Sequence, residues 1–281
     1  MREKEEEKMI YELKKNEFNK CTHLIDENDP LATAVILGNN PGRIFVDDKD
    51  KPSTGLVWFK SDDIGFGLVG DGGNQTFQRE IGPFIEGYIK SEAKKISWDW
   101  FEIGGTSPQW DQAVKDIFQH KGIETDEQFV YTLRESGHAA LQAHQLPSGY
   151  ELCEISSSLL NANEIENLSF LQGKITGYWG SINQFLEKGF GYCIVHEQKV
   201  VSVCFSDFIT DKFSSTAIET LKEYEGRKLA QIVACAYVQA CFQRGLTPYW
   251  DCMKGNLPSQ AVAEKVGFKR LRTYYVHYFK L

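Results

Sequence analysis

The stretch Ile218-Glu219-Thr220-Leu221-Lys222-Glu223-Tyr224-Glu225-Gly226-Arg227-Lys228-Leu229-Ala230 carries a strand into a helix through a short polar loop. Alternation of Phe213, Ser215, Ala217 and Glu219 predicts a strand over Lys212 to Leu221. From Gly226 to Arg244, the positions Leu229, Ile232, Val233, Ala236, Tyr237, Ala240 and Cys241 form one apolar helical stripe, and Gly245 ends it. The first turn of a helix presents unpaired N–H groups and the positive end of the macrodipole. A glycine there lets an anion approach the backbone, so the segment suits a pyrophosphate. Arg227 and Lys228 add two positive charges where basic residues are otherwise disfavoured, which an anion would relieve. An ordinary strand–helix turn with solvated charges accounts for the same residues.

Working outward, Pro248 to Cys252 reads as a strand, Pro258 to Val266 as a short helix closed by Gly267, and Thr273 to Phe279 as a last strand. Upstream, Gly191 to Val195 turns at Glu197-Gln198 into Val200 to Phe205, after a mainly helical run from Glu164 to Leu186. The first half reads as a helix over Met1 to Ile25, a break at Asn28-Asp29-Pro30, and a hairpin of Gly42–Val46 with Gly55–Phe59. A strand over Ile64 to Val69, a helix over Phe77 to Ile89, a strand over Ser97 to Glu102 and a helix over Pro108 to Phe118 follow. A strand over Phe129 to Leu133 and a helix within Gly137 to Gly149 complete it. The expectation is an α/β chain (α+β, mixed sheet) of two domains, 1–145 and 150–281. Each half has a hairpin opening with glycine, a strand and helix, a Trp-Asp strand, a short helix and a closing strand. Two copies of one fold, the first degenerate, or two unrelated α/β domains both fit this rhythm.

A chain of 281 residues with 42% hydrophobic and 25% charged residues is an ordinary globular composition, long enough for two domains. No run reaches the roughly 20 apolar residues of a membrane helix. The acidic start, Met1 to Lys8, is unlike a secretory signal, so a cytoplasmic protein is expected. Residues 151–281 carry 14 Lys and Arg against 13 Asp and Glu, leaving 17 against 26 in the first 150. Neither half offers the basic footprint of a nucleic-acid binder. The acidic half would favour a cationic partner, although acidic surface usually means only solubility. Seven cysteines, an odd number, sit mostly in apolar stretches without paired metal-knuckle spacing, and the histidines are scattered. No metal is expected.

The order strand Tyr249–Cys252, then Asn256-Leu257-Pro258-Ser259, then helix, then Val266-Gly267-Phe268 resembles the GNAT superfamily of acyl-CoA transferases. The resemblance covers roughly Glu151 to Leu281. Ile218 to Thr220, Pro248 to Cys252 and Asn256 to Phe268 are most similar to the bacterial group that includes zwittermicin-resistance acetyltransferases. It implies a GNAT-like carboxy-terminal half that binds acetyl-CoA as co-substrate and acetylates a primary amine of a small molecule. Gly226, Arg227, Lys228, Leu229 and Ala230 would hold the pyrophosphate. Strand atoms near Ile218 and Thr220 would pair with the pantetheine amides, and Asn256 and Ser259 would contact the cofactor from the other side. Two departures stand out: Glu223 replaces the usual Gln or Arg, and Lys228 replaces a frequent second glycine.

Acetyl transfer to an amine needs a base and benefits from an acid. Glu219, near the end of the central strand, reads as the base, or as a structural partner for a nearby cation. The superfamily's usual acid position falls on Ala263, which cannot donate a proton; Tyr249, Tyr274, another tyrosine or solvent could substitute, and no acid is assigned. Trp98, Trp100 and Trp110 read as core before they read as a substrate cleft. Gly70 to Gly73 lacks nearby cations and reads as a turn, so one cofactor per chain is expected. A non-catalytic acyl-CoA-binding or interaction protein is the alternative to the transferase. An aminoacyl-tRNA-dependent transferase is disfavoured by the net charge of −8.

Overall fold

The alternating stretches become twelve strands among the residues that the computed structural model describes, which are 10–25, 29–59, 65–105, 107–134 and 145–281. They are β1 (Tyr11–Glu12), β2 (Gly42–Val46), β3 (Thr54–Phe59), β4 (Phe66–Gly70), β5 (Trp100–Gly105) and β6 (Glu124–Thr132). Then come β7 (Tyr150–Glu154), β8 (Gly191–His196), β9 (Lys199–Ile209), β10 (Phe213–Thr220), β11 (Thr247–Met253) and β12 (Lys269–Lys280). Residues 1–9, Asn28, Ile64 and residues 137–144, on which parts of the expected elements fall, lie outside the described residues. Among the described residues no helix is long and apolar enough to cross a membrane.

The chain forms two compact units. The first comprises residues up to Gly38, Gly42–Glu127 and Tyr274–Leu281. Its strands β2, β3 and β4 run antiparallel to one another, β4 pairs β5 in parallel, and β5 pairs the end of β12 antiparallel. Phe45, Trp58, Phe66, Phe77, Phe101, Trp110, Phe118 and Phe279 fill its core, so Trp110 is a packing residue while Trp100 is 46% exposed. The expected helix over Met1 to Ile25 is, where described, β1 followed by a tight 3-10 segment, Lys15–Leu24. Phe18, Cys21 and Leu24 recur every third residue, the period of a 3-10 helix. His277 is buried, with Nδ1 2.8 Å from Thr125 Oγ1 and Nε2 3.4 Å from Asp111 Oδ1.

The second unit comprises Asn39–Pro41 and Gln128–Thr273. Its strands β7, β8, β9 and β10 are antiparallel in sequence order, β10 pairs β11 in parallel, and β11 pairs β6 antiparallel. Helix Leu229–Gln243 packs one face through Leu229, Val233, Tyr237 and Cys241, and helices Leu168–Tyr178 and Ile182–Lys188 pack around Trp179 and Phe185. The β8–β9 turn holds Glu197 at φ 47° and Gln198 at φ 62°, both left-handed, as a two-residue hairpin requires. The seven cysteines are free thiols, and burial pushes the Cys193 thiol up to about 12.

The two units repeat one topology: β2-β3-β4-β5-β12 in the first and β8-β9-β10-β11-β6 in the second, each with a single parallel pair. The opening glycines have the same cause. A Cβ on Gly42 would meet Val35 Cγ1 at 2.5 Å, and one on Gly191 would meet Phe205 Cβ at 2.4 Å. Each unit closes its sheet with a strand drawn from the other half of the sequence. β6 follows the first half's short helix, Pro108–Phe118, yet pairs β11; β12 follows the second half's short helix, Leu257–Lys265, yet pairs β5.

This exchange has a measurable consequence. Phe129, Tyr131 and Leu133 are at most 8% exposed within the second unit's core. Burial of such side chains contributes about 2 kcal/mol each, so losing all three removes a large share of a typical domain stability of about 5–15 kcal/mol. A fragment of residues 150–281 is expected to be aggregated or to lack near-ultraviolet circular dichroism, and a fragment beginning at Glu124 to recover it. A monomeric 150–281 fragment that unfolds cooperatively would contradict the exchange.

Candidate active site

Strands β10 and β11 stay paired only from Phe213 to Ser215, opposite Thr247 to Tyr249. Beyond that point each follows its other neighbour: β10 runs on with β9 through Thr220, and β11 with β6 through Met253. Thr216 Oγ1 donates to Tyr249 O at 2.8 Å, where the two strands part. The edge of β10 from Thr216 to Thr220 therefore faces a gap with no ladder partner from β11. A groove of about 1080 Å³ runs from Ile218, Glu219 and Thr220 past Glu225, Gly226 and Lys228 to Leu229 and Ala230, and across to Asn256, Ser259 and Lys265.

Gly226 has φ 74° and Lys228 φ 64°, so the loop makes two left-handed residues around Arg227. Gly226 adopts this freely. Lys228 bears a strain of about 1 kcal/mol at a position whose backbone favours glycine. The helix that follows, Leu229–Gln243, has no side-chain cap and no acidic residue in its first turn. The N–H groups of Gln231 and Ile232 bond Lys228 O, and those of Leu229 and Ala230 have no acceptor among the described residues. Lys228 and Lys265 line the groove, and neither forms an ion pair among the described residues. The corresponding turn of the first unit is satisfied from within: Asn74 Oδ1 accepts from Phe77 N at 3.0 Å, and Asp71 Oδ1 accepts from Gly73 N at 2.8 Å.

The residues singled out from sequence have distinct positions. Ile218, Glu219, Thr220, Gly226, Lys228, Leu229, Ala230, Asn256 and Ser259 come together on the groove. The Arg227 side chain does not line it. Its guanidinium donates to Tyr150 Oη at 2.6 Å and Glu223 O at 3.1 Å, and lies 5.0 Å from the Tyr224 ring centroid. Arg227 thus braces the loop against β7, and only its backbone belongs to the turn. Asn256 Oδ1 accepts from Ser259 N at 3.1 Å, capping helix Leu257–Lys265, and Ser259 Oγ accepts from Trp250 Nε1 at 3.0 Å. Glu219 Oε2 lies 2.6 Å from Lys174 Nζ, with its side chain 42% exposed. That is the cation-partner arrangement considered for it. Ala263 is fully buried, and Tyr249 is buried against Phe213.

Sequence reasoning missed Lys174, Gln231 and Lys265 on or beside the groove. It also missed Asp207, the buried carboxyl of β9. The signal for Asp207 was an acidic residue inside the apolar run Val200 to Phe208. Burial pushes this carboxyl up to about 7, opposed by a hydrogen bond from Ser215 and assisted by the charge of Asp251.

A family model described as GNAT acetyltransferase matches residues 22–277 of the chain. YdfB of Bacillus subtilis strain 168, named an uncharacterized N-acetyltransferase, is 29% identical over 272 residues, covering 96% of this chain and 98% of that protein. A GCN5-related N-acetyltransferase-like protein from Streptococcus suis 89/1591 superposes with a TM-score of 0.70 at 22% identity, over 95% of this chain and 99% of its own. A tandem GNAT protein from the clavulanic acid biosynthesis pathway superposes with a TM-score of 0.60 at 12% identity, over 96% and 98%. The family match spans both halves of the sequence, and the chain belongs to the GNAT acetyltransferases.

Proposed function

We propose that this acetyltransferase moves an acetyl group from acetyl-CoA to a primary amine of a small molecule, and that it does so in the second unit alone. The observation that carries the proposal is the uncapped, cation-flanked helix start at the mouth of a strand gap. The open N–H groups of Leu229 and Ala230 and the helix dipole favour a phosphate there. Gly226 through Ala230 would hold the pyrophosphate by backbone, with Lys228 and Lys265 supplying charge. The open edge of β10 near Ile218 and Thr220 suits the amides of a pantetheine arm, as a sheet edge suits an added strand. Asn256 and Ser259 would flank the cofactor from the opposite wall. Acetyl-CoA, when bound, supplies the acetyl group as an activated thioester.

The acceptor is read as a small amine because neither half carries a basic footprint for a polymer of phosphates. The likeness of Ile218–Thr220, Pro248–Cys252 and Asn256–Phe268 to the zwittermicin-resistance group favours the same kind of acceptor. The first unit is read as a copy of the same fold that has lost its cofactor site, because Asn74 and Asp71 fill its helix start. Binding of an acyl-CoA without catalysis is the competing reading, and the buried Ala263 at the usual acid position favours it.

Three expectations follow from the groove. Gly226→Asp adds a side chain at a left-handed residue and a negative charge at the phosphate site, so acetyl-CoA binding followed by fluorescence titration should weaken at least 100-fold; retained affinity would move the site elsewhere. Thiol release from acetyl-CoA across a panel of primary amines should identify an acceptor, whereas a non-catalytic protein would bind the cofactor and release nothing. With the best acceptor of that panel, Glu219→Gln should change turnover by no more than several-fold, because its carboxylate is engaged by Lys174. A loss of about 10²–10⁴-fold, the usual effect of removing a general base, would instead give Glu219 that role.

A further inference from the structure

Tyr150 of β7 and His196 of β8 are direct cross-strand partners, so their side chains share one face of the sheet. Their rings stack with centroids 3.9 Å apart and planes 7° apart. His196 Nδ1 donates to Gly149 O at 2.9 Å, which steadies the imidazole against the phenol. Tyr224, from the loop ahead of helix Leu229–Gln243, meets both rings edge-on, its centroid 6.4 Å from that of Tyr150 and 5.9 Å from that of His196. The Tyr150 hydroxyl accepts from Arg227 Nη1 at 2.6 Å, while Arg227 Nη2 donates to Glu223 O at 3.1 Å and the guanidinium lies 5.0 Å from the Tyr224 ring centroid. Two strands and the loop thus converge on one cation.

The loop has little other hold. Leu221 N bonds Val201 O, Tyr224 N bonds Leu221 O, and Glu225 N bonds Lys222 O. From Gly226 to Lys228 the backbone N–H groups have no acceptor among the described residues. Two residues of that stretch, Gly226 and Lys228, are left-handed. Lys228 would gain by leaving this conformation if nothing held it. The Arg227 side chain, between them in sequence, supplies a tie from this stretch to the sheet.

Resting on the acetyl-transfer reading, we propose that Tyr150 is a positioning residue for acetyl-CoA: backed by His196, it clamps Arg227 and so holds the Gly226–Ala230 turn in its anion-binding form before the cofactor arrives. The pyrophosphate then meets a turn already ordered, and binding does not have to supply that order. Neither Tyr150 nor His196 lines the groove. Their effect passes through Arg227 to its chain neighbours Gly226 and Lys228, which do line it. The clamp also gives a reason for arginine at this position. Its planar fork reaches Tyr150 Oη and Glu223 O at once, a geometry that a lysine ammonium does not reproduce.

The test compares the full chain with Tyr150→Phe, Arg227→Lys and the double variant. Tyr150→Phe keeps the ring stack and every charge but loses the hydroxyl; Arg227→Lys keeps the charge but loses the fork. Without cofactor, hydrogen exchange at the Tyr224 and Glu225 amides should be about tenfold faster in each variant. An unchanged melting temperature for Tyr150→Phe separates this from misfolding. By fluorescence titration, acetyl-CoA affinity should fall about tenfold in each single variant and no further in the double, because both changes remove one clamp. With the best acceptor of the amine panel, Tyr150→Phe should raise the KM for acetyl-CoA in step and leave kcat within about twofold. Wild-type loop exchange and affinity in Tyr150→Phe would overturn the inference, as would losses that add in the double variant. Wild-type affinity in Arg227→Lys would also overturn it, because charge alone would then account for Arg227. Each of these results leaves the transferase reading standing. A wild-type protein that neither binds acetyl-CoA nor releases thiol would overturn both.

Discussion

Among the described residues no side chain caps helix Leu229–Gln243, and the loop before it is shaped around that open start. Gly226 and Lys228 are both left-handed in the loop before it, Lys228 at the cost of a strained backbone. Arg227 is tied to Tyr150 and Tyr224, so the loop is braced from behind while its front stays open. The parting of β10 from β11 places an unpaired strand edge at the same mouth. In the first unit the corresponding turn is capped from within, Asn74 accepting from Phe77 N–H and Asp71 from Gly73 N–H. One topology, present twice, thus carries one helix start without a side-chain cap and one capped by Asn74.

The two copies are not independent in sequence. Each sheet is completed by a strand from the other half, and Asn39 and Asn40, from early in the chain, pin the bulged end of β9. Asn40 alone bonds Asp207, Tyr178 and Ile209, joining the bulge to the end of helix Leu168–Tyr178. The first half of the sequence therefore contributes Asn39, Asn40 and part of β6 to the second unit. That dependence gives a physical reason for keeping both halves in one chain.

Much of this was legible locally. Helix Pro108–Phe118 and the Glu197-Gln198 turn follow directly from periodicity and turn position. The strand–loop–helix at Gly226 and the segment Asn256 to Ser259 were visible as residue types in order, but the capping role of Asn256 was not read. Strand partners were not, because β6 and β12 carry the same alternating pattern whichever neighbour they pair, and nothing local names a partner distant in sequence. Side-chain direction was also hidden: Arg227 and Lys228 are adjacent charges in sequence, yet one braces the loop and the other lines the groove. Glu219 looked catalytic from its place on the strand. Its ion pair with Lys174 depends on tertiary packing that a strand pattern does not encode.

The central claim is that a repeated fold holds a single acetyl-CoA site, in the second unit. Calorimetric titration of the full chain with acetyl-CoA tests it most directly. A stoichiometry of about one per chain, binding with an affinity that falls as salt rises because phosphates meet Lys228 and Lys265, is the expected result. Two equivalent sites, or no binding at all, would contradict it.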